Sequence, residues 1–455
     1  MGAGRVTRPA AGSTNFGASL LMKNESLPIR ATSAQYGIWV AQQVDSDDPG
    51  YLTAETVALD GALDVAALTD SVEAVLDHAD ALHMRFVWQD DALWQARRTP
   101  RTRLPLVDLS AQADPVQAAH AWMKASLSVC CDVTADPLYR TALLRLSPTR
   151  HWWYLQVHHI ALDGFGYGLL QQAVGARYNA RVGGGPLPAL PDWQLDRVVE
   201  AEARYRADGG FDADRAFWRA HLRDVPAPLV LAPKQDIAAD ARRATRVLDA
   251  ERVHALRAAA ERVDVDWNAW LLCAVGIWLA KQGGQCDLTL GLPVMNRLGT
   301  PALGVPCMAM NIVPLRMHVD AERSPRALAR ECAERLRAIR PHLYYRYGWI
   351  RGDLGLLERN AFLFNQAVNV MPFERQVAFH GLASDTRAVS GGPVKDLNVT
   401  LTVRGGMWHL TLEANPNAYD EAMLAAHARN LAEWLDAFAE QAPDVVDGRV
   451  ERQRL

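Results

Sequence analysis

Residues 152–158, WWYLQVH, read as a strand that runs into a pair of histidines, His158 and His159, with an aspartate, Asp163, four residues further on. A second strand-like run, 138–146, precedes it across Ser147, Pro148 and Thr149, so the two form a hairpin. After Asp163 come Gly164, Gly166 and Gly168, and then Leu169, Leu170, Val174 and Tyr178 at helical spacing. A hairpin that leads through a glycine-rich turn into a helix commits this region to mixed α and β packing. It also places two imidazoles and a carboxylate at the end of a strand.

The chain has 455 residues, about three times the usual single-domain size, which predicts two units. With 49% hydrophobic and 22% charged residues it has an ordinary globular composition. The formal charge of −4 is spread without blocks of one sign, so nucleic acid is not an expected partner. Cys130, Cys131, Cys273, Cys286, Cys307 and Cys332 form no CxxC pair and no zinc spacing; they read as reduced packing residues and the site as metal-free. The Gly, Ala and Ser-rich start has an apolar stretch, 16–22, too short for a signal peptide or a membrane span. A cytoplasmic, membrane-free protein is expected, with residues 1–28 a disordered extension and Met22 an alternative start.

Upstream of the hairpin the pattern predicts a helix over 33–43, a strand over 53–59, a helix over 65–77 and a strand near Met84. A Gly and Pro cluster at 183–191, charged helices through Leu222 and a Pro-rich stretch at 226–233 mark the linker region. The division is set at 29–190 for an N-terminal unit and 191–455 for a C-terminal one. The second unit reads as helices over 250–263, 267–282 and 325–339, strands over 288–292, 362–370, 398–403 and 408–413, and a closing helix over 420–439. No short-period repeat suggests a solenoid.

Side chains alternate along a strand, so His158 and His159 face opposite sides and only one meets a substrate. A histidine there takes up or orients a proton near neutral pH. Asp163 either holds an imidazole directly or fixes the loop by pairing with an arginine elsewhere. Gly164, lacking a side chain, lets backbone N–H groups approach a developing oxyanion. A bare HxxxD is more often a satisfied pair of core or loop residues. The double histidine, aspartate, alternating glycines and following helix together favour acyl transfer. No GxSxG signature competes, which points to direct transfer between two bound substrates.

"HHIALDGFGYGLL" resembles the HHxxxDG motif of nonribosomal peptide synthetase condensation domains, in the chloramphenicol acetyltransferase-like superfamily. Further segments agree in order. "TSAQYGIWVAQQ" is similar to the opening motif, and "HADALHMRF" resembles RHExLRxRF, keeping Leu82, Arg85 and Phe86 but carrying Ala79, Asp80 and His83 in place of other motif residues. "GLPVMNR" resembles GxPVxNR, "MNIVPLR" resembles NxxPLR, and "YYRYGWIRGDLGL" and "FNQAVNVMPF" are similar to late motifs, so the likeness covers about 29–445.

The resemblance implies an α/β (α+β) fold of two acetyltransferase-like subdomains in a V-shaped pseudo-dimer, with a central tunnel that admits a phosphopantetheine arm from each face. It implies that His159 is catalytic with His158 in support, that Gly164 lies by the oxyanion, and that Asp163 is salt-bridged to Arg297, for which a bidentate arginine suits a buried carboxylate. Asn369, Ser390 and Gly391, within "SGGP" that runs to Pro393, would lie near the tunnel or simply pack loops. Phe165 and Tyr167 would line it or fill core. Both histidines are kept, and the late segments look most like starter condensation domains, which acylate the first aminoacyl thioester. No bound cofactor is implied. The partners implied are an aminoacyl carrier protein, an acyl donor on coenzyme A or a carrier protein, and a downstream adenylation domain, with the chain itself a monomer. A free-standing amide- or ester-forming enzyme and a non-catalytic recruitment module are the competing readings.

Overall fold

The fold follows from a computed structural model, which describes residues 28–43, 49–233, 236, 238, 241–320, 322–374, 376–392 and 394–441. The expected N-terminal extension, apart from Pro28, lies outside the described residues, as do Met22 and Pro393. The first part of the chain runs β1 (Ile29–Arg30), α1 (Ser33–Gln42), β2 (Leu52–Asp60), α2 (Val65–His78), β3 (Met84–Gln89), β4 (Ala92–Arg97), β5 (Leu106–Asp108), α3 (Pro115–Leu127), β6 (Tyr139–Ser147), β7 (Arg150–His158) and α4 (Gly164–Gly183). Helices α5 (Asp196–Ala207) and α6 (Gly210–His221) follow. Then come β8 (Arg242–Leu248), α7 (Ala250–Arg262), α8 (Trp267–Gly283), β9 (Asp287–Val294), β10 (Asn311–His318), α9 (Pro325–Ile339) and α10 (Tyr347–Asp353). The chain closes with β11 (Ala367–Glu374), β12 (Ala383–Ser390), β13 (Leu397–Arg404), β14 (Met407–Ala414) and α11 (Glu421–Glu440).

The β6–β7 hairpin pairs Tyr139 with Val157 through to Ser147 with Arg150, leaving Pro148 and Thr149 as its loop. Both faces of β7 are covered, which explains its near-continuous apolar sequence. Trp153, Leu155 and Val157 pack with Leu68, Val72 and Val75 of α2 and with Leu170, Val174 and Tyr178 of α4. On the other face, Trp152 and Tyr154 pack with Ala119 and Met123 of α3. This sheet has the order β12-β2-β7-β6-β5, so its edge strand, β12, comes from far down the chain and pairs antiparallel with β2.

The other large sheet has the order β10-β9-β11-β13-β14-β8, with β11 parallel to both β9 and β13. Helix α8 is buried on every side, from Ala269 to Ala280, which accounts for its all-round apolar sequence. Its Trp270 ring lies 4.4 Å from that of Phe438 on α11. Segments of the later chain also enter the first core: Ala302, Val305, Cys307 and Ala309, and again Val377 and Phe379, pack among the residues around β7 and α4. Among the described residues no single helix is long and apolar enough to cross a membrane.

Strands β1, β4, β5, β8, β10 and β12 were not among those the sequence pattern marked. Strands β8 and β12 are sheet edges with largely exposed polar side chains, so neither shows the apolar alternation that marks a half-buried strand. The strand expected over 362–370 begins only at Ala367, because buried Leu363 and Phe364 belong to the approach to β11.

Trp270→Ala removes a fully buried indole from the centre of the larger core; the expected loss is about 3–5 kcal/mol in urea unfolding. A loss below about 1 kcal/mol would show that α8 does not pack as described.

Candidate active site

The pleat of β7 separates the two histidines. The His158 side chain shares the face of Trp152, Tyr154 and Gln156 and is buried. Its Nδ1 accepts from the Ile160 N–H at 3.2 Å, while Nε2 has no hydrogen-bond partner among the described residues. Burial, aided by the neighbouring His159, pushes its pKa down to about 3, so this ring is neutral throughout the physiological range.

His159 is held differently. Its backbone N–H donates to Tyr51 O at 2.8 Å, and its half-buried ring brings Nδ1 to 2.8 Å from Leu162 O. A carbonyl oxygen can only accept, so Nδ1 carries the proton and, in the neutral ring, Nε2 offers a lone pair. That Nε2 has no protein partner among the described residues. The orienting group behind the imidazole is therefore a backbone carbonyl rather than Asp163.

Asp163 has other work. It caps α4, its Oδ1 accepting from Gly166 N at 3.0 Å, and it is 1% exposed. Arg297, 134 positions away and fully buried, donates from Nη2 to the same Oδ1 at 2.8 Å. Oδ2 accepts from Ala309 N at 3.0 Å and Met310 N at 2.9 Å. The expected pairing with Arg297 is present, but the expected bidentate geometry is not. The guanidinium spends the other N–H groups of Nη1 and Nη2 on the carbonyls of Ala302, Val305 (2.8 Å) and Cys307 (2.6 Å), its Nε has no partner among the described residues, and the carboxylate fills its second oxygen with backbone donors. Gly166 is tight here: a Cβ would lie 2.4 Å from Leu162 Cδ1.

Gly164 is exposed at the first position of α4. Phe165 is half-buried with its ring centre 4.9 Å from the Arg297 guanidinium carbon. Tyr167 is a correction: it is packed in the first core, its hydroxyl donating to Thr53 O at 2.9 Å, and burial pushes that hydroxyl far up. It fills core, the second of the two places expected for it. Asn369, half-buried, lies on β11, the strand beside the β9 strand that leads to Arg297. Ser390 ends β12 opposite Ala54, two positions along β2 from Leu52, the partner of His158; exposed Gly391 follows it.

Cys307, beside Arg297, is buried and its thiol is pushed up to about 12, so it stays protonated. Among the described residues no group of His, Cys, Asp and Glu is arranged to hold a metal ion. Leu162 O, Ala309 N and Met310 N were absent from the sequence reading, since backbone groups leave no mark in residue type.

The family described as Condensation domain matches residues 28–448. A dimodular nonribosomal peptide synthase of Bacillus subtilis (strain 168) is 33% identical over 94% of this chain and 18% of its own length. An isonitrile lipopeptide synthase of Streptomyces coeruleorubidus is 38% identical over 90% of this chain and 28% of its own. The chain thus spans less than a third of these relatives. Among solved structures, a variant of the starter condensation domain of rhizomide synthetase in complex with C8-CoA superposes with a TM-score of 0.83 at 30% identity, covering 91% of this chain and 95% of that one. The first condensation domain of the calcium-dependent antibiotic synthetase, in complex with a substrate analogue, gives a TM-score of 0.84 at 28% identity, covering 93% and 98%. The chain belongs to the condensation-domain family, the amide-forming acyltransferases of nonribosomal peptide synthetases, which need no resident cofactor.

Two outcomes are expected. Asp163→Asn leaves the Arg297 charge buried without its counter-ion and should cost about 3–5 kcal/mol in denaturant unfolding; an unchanged midpoint would contradict the pairing. Folding keeps His158 neutral, whereas the unfolded chain protonates it near the ordinary 6.5, so its share of stability is whole above that pH and falls as pH drops toward 3. His158→Asn should therefore flatten the stability profile, recovering about 2 kcal/mol of the wild-type decline between about pH 8 and pH 5. Parallel profiles for both proteins would refute the buried neutral ring.

Proposed function

We propose that this chain is a starter condensation domain, moving an acyl group from coenzyme A or an acyl carrier protein to the amine of an aminoacyl thioester on a carrier protein. The observation that carries this reading is the His159 ring, pinned through Nδ1 by Leu162 O with Nε2 open. In that state it accepts a proton without first losing one.

The amine attacks the thioester carbon; the C–N bond forms, the C–S bond breaks, the thiolate leaves, and the proton shed by nitrogen passes to Nε2 of His159. Gly164, at the positive N-terminal end of α4, is the backbone position offered to the developing oxyanion. Asp163 and Arg297 hold the loop, and His158 supports the strand end from the buried face. Phe165, Asn369, Ser390 and Gly391 are assigned to the tunnel walls between subdomains spanning 29–190 and 191–455. The starter assignment draws support from the rhizomide synthetase domain, solved with C8-CoA. By this reading the domain acts as one copy in the cytoplasm, ahead of an adenylation domain.

Incubation with an acyl-CoA or acyl carrier protein and an aminoacyl carrier protein, followed by intact-mass measurement of the acceptor, should show the mass of one added acyl group. His159→Ala should slow its appearance by about 10²–10⁴-fold. Undiminished turnover in that variant would overturn the role of His159, and absence of acylated acceptor with every donor would overturn the starter reading.

A further inference from the structure

The donors to Asp163 Oδ2 are themselves gripped from behind. Arg346, the residue that caps α10, is 8% exposed and donates from Nη1 to Ala309 O and Met310 O, both at 2.9 Å. The peptide group joining Ala309 to Met310 thus has its N–H on the Asp163 carboxylate and its C=O on the Arg346 guanidinium. In a trans peptide those two bonds point in opposite directions. The anion and the cation accordingly sit at the favourable ends of one dipole, and each strengthens the hydrogen bond that the other makes.

Arg346 is fixed in turn by the opening segment of the chain. Its Nε donates to Ser33 Oγ at 3.1 Å, and both the hydroxyl and the N–H of Ser33 donate to Glu202 of α5 at 2.9 Å. Burial draws the guanidinium below the usual arginine range, and the nearby Glu202 carboxylate works in the other direction. The result is a buried row of alternating charge: Arg297, Asp163, Arg346, Glu202. It crosses α1, the α4 cap, α5, the 297–310 loop and the entry to α10. The Leu162 carbonyl that orients His159 immediately precedes Asp163 in the chain, so whatever places the Asp163 carboxylate also places that carbonyl.

We infer that Arg346 is a positioning residue for His159, acting through the Ala309–Met310 peptide and Asp163, with Ser33 and Glu202 holding its guanidinium. The inference rests on the acyl-transfer role of His159 proposed above. Arg346 gives its Nε to Ser33 and its Nη1 to main-chain carbonyls, so those donors are held within the protein. Its loss should move the imidazole by a fraction of an ångström and slow the chemical step while leaving substrate binding in place.

The test compares Arg346→Met, Arg346→Lys and His159→Ala in the full chain, with kcat and KM for acyl-CoA and aminoacyl carrier protein, and a thermal melt to establish that each is folded. Arg346→Met should lower kcat by about 10–100-fold with both KM values within about twofold. Arg346→Lys should fall between it and wild type, because an ammonium still reaches one carbonyl. If Arg346→Met does not fold, Arg346→Lys decides: a reduced kcat at unchanged KM supports the inference, and a wild-type kcat overturns it. Folded Arg346→Met with wild-type kcat also overturns it, as do kcat and KM worsening together. Undiminished turnover in His159→Ala would instead refute the functional reading on which the inference stands.

Discussion

The carboxylate of Asp163 and the guanidinium of Arg297 meet out of reach of water, and the rest of the site depends on how that meeting is made tolerable. Removing two charges from water costs more than their mutual attraction returns unless the remaining donors and acceptors are satisfied. Here main chain satisfies nearly all of them; among the described residues, the buried Nε of Arg297 is left without a partner. Asp163 takes N–H groups from Gly166, Ala309 and Met310, and Arg297 gives to the carbonyls of Ala302, Val305 and Cys307. The 297–310 loop has little regular structure of its own, so its buried backbone groups would otherwise be orphaned. The ion pair and the loop solve each other's problem. The apolar side chains of the loop then lie in the core around β7 and α4.

One consequence is that the imidazole is left without a carboxylate behind it. A carbonyl selects the same tautomer as a carboxylate would, with the proton on Nδ1. The lone pair left on Nε2 suits the proton-accepting role proposed for His159. The adjacent histidine shows what the same side chain becomes on the other side of the pleat. His158 is buried, cannot charge near neutral pH, and accepts a hydrogen bond from the Ile160 N–H. Two identical residues side by side thus occupy opposite regimes because a strand turns successive side chains to opposite faces.

Much of the fold was legible. The hairpin that ends on the histidines, the helix after the glycine turn, the fully buried α8 and the helix at 325–339 all announce themselves through apolar spacing and turn residues. Edge strands β8 and β12 do not, since a strand that is mostly in water has no apolar face to display. At the site, the residue types and their order were legible, and so was the Asp163–Arg297 pairing, through the resemblance of two separate motifs. Tyr167 was not: an aromatic beside a glycine turn is equally at home in a core or a tunnel wall, and only packing against Thr53 decides it.

By itself, then, the sequence determined the local chemistry: a strand end with two imidazoles on opposite faces, a capping aspartate and a glycine that opens the helix start. These follow from the periodicity of the chain and from side-chain identity, both of which are local. Tertiary structure alone decided the single-pronged contact between Asp163 and Arg297, the pinning of His159 by Leu162 O, and the grip of Arg346 on the Ala309–Met310 peptide. Each of those depends on backbone groups brought together by the folding of the chain. Every residue has the same C=O, and all but proline the same N–H, so which of them meet is set by how the two cores pack and leaves no trace in the order of side chains.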